Sequence, residues 1–204
     1  MKKVIIVLSL LCHNLYGYCQ SEEIVKEKKT LAGFNIGGFH TLVRPAQEPL
    51  PDNFKINNGE GFLLGVFLQQ KITNRVWFSP KSELSFSNNS ISYMQEPGLS
   101  VTNSIYSTNL AFMAHIIISS NLKLKPFVSL GPSIRVPLTK DDEFNLNSKN
   151  DIGFDISFGL NKAFSNFNIL PELRLSTGFN NLIESDNLPK VRYNSVSLII
   201  NFMG

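Results

Sequence analysis

Asp151-Ile152-Gly153-Phe154-Asp155-Ile156-Ser157-Phe158-Gly159-Leu160 is the stretch on which the fold turns. From Ile152 onward every second residue is large and apolar, and the residues between are glycine, serine or aspartate. A repeat of two belongs to a strand whose faces meet different surroundings; a helix would repeat at about 3.6. The run is longer than the usual soluble strand of about five or six residues. It matches the roughly 9–11 residues that a tilted strand needs to cross a bilayer.

The same alternation recurs on both sides of this segment. Residues 31–42 set Ala32, Phe34, Ile36 and Gly38 against Gly33, Asn35, Gly37 and Phe39. Residues 60–71 carry Phe62, Leu64, Val66 and Leu68 on one face. Residues 76–87 oppose Phe78, Leu84 and Phe86 to Ser79, Lys81, Glu83 and Ser85. Residues 102–118, 123–136, 168–179 and 191–202 repeat the pattern, the last with Val196, Leu198, Ile200 and Phe202 opposite Tyr193, Ser195, Ser197 and Asn201. Eight such segments predict an all-β chain.

The connections alternate in length. Long stretches at residues 43–59, 88–101, 137–150 and 180–190 are separated by tight turns near Thr73-Asn74, Ser119 to Asn121 and Ser165-Asn166. Short turns at one end and longer loops at the other are the pattern of a transmembrane β-barrel, with the turns periplasmic and the loops extracellular. The sequence therefore predicts an eight-stranded antiparallel up-and-down transmembrane β-barrel. Pro80, Pro126 and Pro171 recur early in successive upward strands. Because proline removes a ladder donor and a closed barrel has no edge, these three are expected at bulges near the periplasmic rim. Pro132 and Pro137 have no such account.

Alternation alone does not say which face turns inward, but composition does. The polar face is rich in Gly, Ser and Asn (Gly65, Ser129, Gly131, Gly153, Ser157, Gly159, Ser176 and Gly178), where a solvated face would carry many Lys and Glu. Small side chains suit the narrow interior of an eight-stranded barrel. Lys81, Glu83, Arg135, Asp151, Asp155, Glu172 and Arg174 lie on that face, with both signs represented. They are expected to pair in the lumen, since buried unpaired charge is costly. Two readings follow: a polar conduit or binding site, or a structural plug. The small bore favours the plug.

The N-terminus reads as a secretory signal at residues 1–19. Lys2 and Lys3 precede a short apolar core from Val4 to Leu11, and Gly17 and Cys19 stand at the small-residue positions of a cut before Gln20. Leu11 and Tyr18, the residues before the two cysteines, do not suit lipidation. Residues 20–30 read as a charged periplasmic linker and residues 31–204 as the barrel. Both cysteines, Cys12 and Cys19, fall in the signal, so the exported chain is expected to hold no disulfide. Removing Lys2 and Lys3 from the 19 basic residues leaves 17 against 16 acidic ones, a balance that gives no electrostatic footprint for a nucleic-acid partner. Charged residues make up 17% of the chain, below the roughly 25% of soluble domains.

Taken in order, several short motifs resemble the outer-membrane β-barrel proteins of the PorT-type family of Bacteroidota. They are Gly33-Phe-Asn-Ile-Gly-Gly38, Gly61-Phe-Leu-Leu-Gly65, Pro80-x-x-Glu83-Leu84-Ser-Phe-Ser87, Leu130-Gly131-Pro132-Ser133 and Asp151-Ile-Gly153 before Gly159. The chain departs from the pattern at Ala111-Phe112-Met113, where relatives carry a proline, and at its Phe202-Met203-Gly204 end. The resemblance implies a barrel in the cell outer membrane. Some relatives are implicated in protein secretion, and fold alone does not carry function.

No metal, phosphate-loop or dinucleotide signature appears, so no cofactor is expected. His115, on the inward face, is expected to be a hydrogen-bonded interior residue. His40 is the one candidate base for a serine nucleophile, with no local signature pairing it to a serine and an aspartate. Asp141-Asp142-Glu143 lacks the ligand spacing of a calcium loop and reads as solvated. Trp77, Phe78 and Tyr193 are candidates for an interfacial aromatic girdle or for ordinary wall packing. The expectation is a monomeric, non-enzymatic barrel in contact with outer-membrane lipid, docking other envelope proteins through its extracellular loops. The alternatives are a lipid- or lipopolysaccharide-modifying barrel enzyme and a secreted lipocalin-like ligand-binding barrel.

Overall fold

The computed structural model describes residues 30–45, 54–96, 99–104, 107–120, 125–138, 149–164, 167–182 and 190–204. The signal and the charged linker expected before Thr30 lie outside them. Eight long strands form the wall: β1 (Thr30–Thr41), β2 (Glu60–Lys71), β3 (Val76–Ser87), β4 (Thr108–Ser119), β5 (Pro126–Pro137), β6 (Asp151–Leu160), β7 (Asn168–Gly178) and β8 (Asn194–Met203). Each pairs antiparallel with its neighbours in sequence, and β1 pairs with β8, with Gly33 opposite Met203 and Thr41 opposite Ser195. The sheet is therefore a closed up-and-down barrel of eight strands. Closure leaves no edge, so wall backbone groups find partners within the sheet.

The two faces separate as the alternation requires. On the outside, Phe34, Ile36, Phe62, Val66, Ile152 and Leu175 are exposed, as are Phe158 at 53% and Leu198 at 66%. On the inside, Asn35, Ser79, Ser129, Ser133, Ser157 and Asn201 are buried. A continuous apolar exterior of this extent does not suit water. It is the surface of a membrane-spanning barrel. A lipocalin-like arrangement, with Phe154, Phe158 and Leu198 around an interior pocket, is overturned by these orientations.

The prolines act differently from the bulges expected of them. Between β2 and β3, the pairs Phe67 with Lys81 and Gln70 with Phe78 flank a gap at Pro80 without a change of register. Pro132 leaves a similar gap between Met113–Ser133 and Ile116–Leu130. Pro171 leaves one between Gly159–Glu172 and Lys162–Ile169, where the two-residue strand Lys162–Ala163 continues the pairing of β6. On their other sides, Pro80 stays opposite Ala114, Pro132 opposite Phe154 and Pro171 opposite Ile200. The reason is local. In an antiparallel ladder one residue's N–H and C=O address the same neighbour, so proline empties one rung and spares the other side. Pro126 and Pro137 begin and end β5. The one register shift among the described ladders, between Met94 and Glu96, lies outside the barrel.

Glycines let large inward rings cross the narrow bore. Gly33 stands opposite Phe67, Gly61 opposite Phe39 and Gly159 opposite Phe127. A Cβ at any of the three would strike the ring of its partner. Each ring lies over the bare backbone beside it, as aromatics do when they cover a strand glycine.

Two regions expected to be loops contain strands. Phe54–Asn57, Ser90–Glu96 and Leu99–Ser104 form a three-stranded sheet. Phe86 opposite Thr108 and Ser90 opposite Ser104 share one register, bridged by a bond from Ser87 N–H to Ser107 C=O, so this sheet prolongs the β3–β4 hairpin. The segment read as one strand over residues 102–118 is thus two. The β1–β8 pair is prolonged in the same way by Arg44–Pro45 and Val191–Arg192. Sequence periodicity blurred these joins because strand and extension keep the same alternation. At the opposite end the turn at residues 72–75 is tight, with Ile72 N–H and Thr73 N–H both donating to Val76 C=O. β5 begins at Pro126, later than residue 123, after Lys125 takes a left-handed φ of 41°.

Candidate functional site

The chemistry of the chain is gathered inside the barrel. All seven charged residues picked from the sequence, Lys81, Glu83, Arg135, Asp151, Asp155, Glu172 and Arg174, are buried there. They come from β3, β5, β6 and β7, and each points inward because it shares parity with the serines and glycines of its strand. Three cations face four carboxylates.

They form two connected groups. Arg174 grips Glu83 with both terminal nitrogens, at 2.7 Å and 3.0 Å, and donates Nε to Glu172 at 3.0 Å. Lys81 donates to the other Glu172 oxygen at 3.1 Å. Asn35 from β1 donates to Glu83 at 2.7 Å, and Asn201 from β8 donates to Glu172 at 3.0 Å. In the second group Arg135 bridges two aspartates, Asp151 and Asp155, each at 2.9 Å. Asp155 also meets His115 Nε2 at 3.3 Å, and Ser129 lies 3.1 Å from His115 Nδ1. The Arg135 guanidinium sits 4.9 Å above the ring of Tyr193. Burial pushes the Tyr193 phenol above its ordinary value, against the pull of Arg135.

The sequence does not mark the neutral residues Asn35, Asn201, Ser129 and Tyr193 as partners of these charges. Inward parity was the available signal for them; uncharged residues carry no pairing requirement that marks them out in a sequence. His115 is the hydrogen-bonded interior residue it was expected to be. Ser129, His115 and Asp155 form a hydrogen-bonded chain with the serine on Nδ1 and the aspartate on Nε2, the reverse of the arrangement in serine hydrolases. All three are essentially inaccessible, so the serine has no room to meet an acyl group. His40, the other candidate base, is exposed on the outer face opposite Glu60 and Val196, apart from this chain.

Apolar layers close the polar section at both ends. Toward the chain termini, Phe67, Ile117, Phe127, Leu170 and Met203 pack with Leu31 and Trp77. Below them a cavity of about 270 Å³ opens at the turn end, with Lys71, Asn74, Lys125 and Asn161 among its lining. At the other end Phe39, Leu63 and Ile199 cover the charges. Farther out, Val43, Phe54, Ile91, Leu182, Val191 and Tyr193 form an apolar core beneath the strand extensions, which cap the barrel. The void left between the two ionic groups is about 30 Å³, about the volume of a single water.

Two girdle candidates face elsewhere. Trp77 packs inward at the mouth, with Lys71 6.0 Å from its ring centroid, and Tyr193 is buried under the cap. Phe78 shares the outward parity. Exposed aromatics at the turn end are instead Phe164 and Phe167, stacked at 5.1 Å. Asp141-Asp142-Glu143 lies outside the described residues. Among the described residues, no group of three or more His, Cys, Asp or Glu side chains is arranged to hold a metal.

Fold and interior together define a transmembrane β-barrel filled by an ion-pair network. Solved structures with a similar strand arrangement include Neisserial surface protein A, at 15% identity over 83% of this chain and 95% of that one, with a TM-score of 0.49. Ail, the attachment invasion locus protein of Yersinia pestis, solved with the heparin analogue sucrose octasulfate, shares 12% identity over 86% of this chain and 99% of that one, with a TM-score of 0.46. The N-terminal β-barrel domain of Pseudomonas aeruginosa OprF shares 11% identity over 87% and 100% of the two chains, with a TM-score of 0.42. No family model matches the sequence, and no curated protein is recognisably similar to it. The PorT-type resemblance therefore rests on its short motifs alone.

Proposed function

We propose that the chain is a monomeric, non-catalytic barrel of the outer membrane, exported with a cleaved signal, whose plugged lumen serves as a rigid base for an extracellular docking cap. The PorT-type motifs support the same placement. The observation that carries the reading is the void of about 30 Å³ between the ionic groups. A void of that size supports a plugged lumen, and the complete burial of Ser129 supports a non-catalytic one. Surface available for recognition is then confined to the wall, which meets lipid, and to the cap and its loops. The strand extensions support a role in holding those loops, because they carry barrel register outward over a core of their own.

Reconstitution into planar bilayers tests the plug: the protein should insert without stepwise conductance, and discrete open-channel steps would refute it. Deleting residues 139–148 should leave heat-modifiable migration intact while weakening capture of envelope proteins. An unchanged set of captured partners would count against docking through that loop.

A further inference from the structure

The outer wall carries a groove of about 930 Å³ near the turn end. Its floor follows one row of cross-strand partners: Ile118 opposite Val128, Val128 opposite Phe158, Phe158 opposite Leu173, and Leu173 opposite Leu198. All five side chains point outward and are exposed. The row passes the proline gap, where the rungs at Leu160 and Pro171 are missing and both residues line the groove. At its turn end the groove is bounded by Arg75, Ser119 and Ser120. Ser119 is fixed against this turn, its N–H and its hydroxyl both donating to the Arg75 carbonyl, at 2.8 Å and 3.4 Å, and the Arg75 side chain is exposed.

Two further features identify what fits. Five strands spaced about 4.8 Å apart give the row a length of about 19 Å, and with strands tilted about 45° it descends about 13 Å, most of one leaflet of about 15 Å. Arg75 is the cation of the groove's lining, Lys162 is exposed on the two-residue strand that continues β6, and the one carboxylate in the lining, Glu172, is buried with its side chain in the lumen. An apolar channel that starts at a cationic, hydroxyl-bearing rim matches a lipid whose phosphate lies at the interface and whose chain runs into the hydrocarbon.

We infer that this groove binds one anionic glycerophospholipid of the periplasmic leaflet, its phosphate on the Arg75 guanidinium and one acyl chain along Val128, Phe158 and Leu173. The inference rests on the reading of the chain as an outer-membrane barrel. The full exported chain, inserted into vesicles containing phosphatidylglycerol and released into mild detergent, is examined by native mass spectrometry. One phosphatidylglycerol should remain per barrel. Arg75→Gln removes the charge-assisted contact and should lower retention about tenfold. Val128→Trp fills the groove and should lower it similarly. Both variants should still insert and show heat-modifiable migration. An inserted wild-type barrel that retains no lipid, or retention unchanged in both variants, overturns the site. Failure of the wild type to insert would instead overturn the membrane reading, and the site with it.

Discussion

The molecule has two kinds of core, one above the other. Midway along the wall the interior is ionic, built on Arg174, Glu83, Glu172 and Lys81 between two apolar layers. In the cap it is apolar, built on Phe54, Ile91, Leu182 and Val191. The same chain places opposite chemistry in its interior because its surroundings change. Where water surrounds the protein, burying apolar groups is favourable. Where hydrocarbon surrounds it, apolar side chains gain little by turning inward, so polar ones can fill the middle of the lumen, where the charges must find each other. The strand extensions cross this boundary without a break in register, so the inversion comes from side chains and solvent and needs no change in the sheet.

The comparison is broken most severely at Arg174. Arg174→Met leaves Glu83 and Glu172 buried without their main partner, and should cost about 3–5 kcal/mol. Urea unfolding in micelles, followed by Trp77 fluorescence, measures the loss; an unchanged midpoint would mean that the network contributes little. Leu182→Ala in the apolar core should cost about 2–5 kcal/mol locally, yet leave the wall folded. Hydrogen exchange distinguishes the two: protection should fall around Phe54–Asn57 and Val191–Arg192 and persist in β3 and β7. Loss of protection throughout would show that the cores are one cooperative unit.

The outer face provides the next test. Leu198→Arg puts charge into hydrocarbon and should cost up to about 2–4 kcal/mol, depending on its depth, read as a reduced folded band in unboiled samples. Gly61→Ala adds a single methyl, but that methyl meets the Phe86 carbonyl and the Phe39 ring. It should cost about 1–3 kcal/mol through overpacking, and pairing it with Phe39→Leu should recover part of that loss. The smallest effect is expected at Pro80→Ala, which restores a donor opposite Leu68. It should stabilise by about 0.5–1 kcal/mol, and a destabilisation would mean that the proline ring itself holds the wall.

Much of this organisation is legible in the sequence. Parity along residues 151–160 marks Asp151 and Asp155 as interior, and the same rule holds for Lys81, Glu83, Arg135, Glu172 and Arg174. The lengths of the turns separate the two ends. The cap was not legible, because Phe54, Ile91 and Leu182 are scattered through polar stretches and meet only after the chain has closed. Nor was the behaviour of Pro80, Pro132 and Pro171, since a sequence does not reveal which neighbour an emptied rung faces.

Local alternation thus determined that there would be strands and which residues share a face. Tertiary structure alone decided who meets whom: that Arg174 of β7 reaches Glu83 of β3, that Asn35 and Asn201 complete the two glutamates, and that β1 closes on β8. Period-two patterning is a property of neighbours along the chain, whereas pairing across a lumen depends on curvature, tilt and register around the whole barrel.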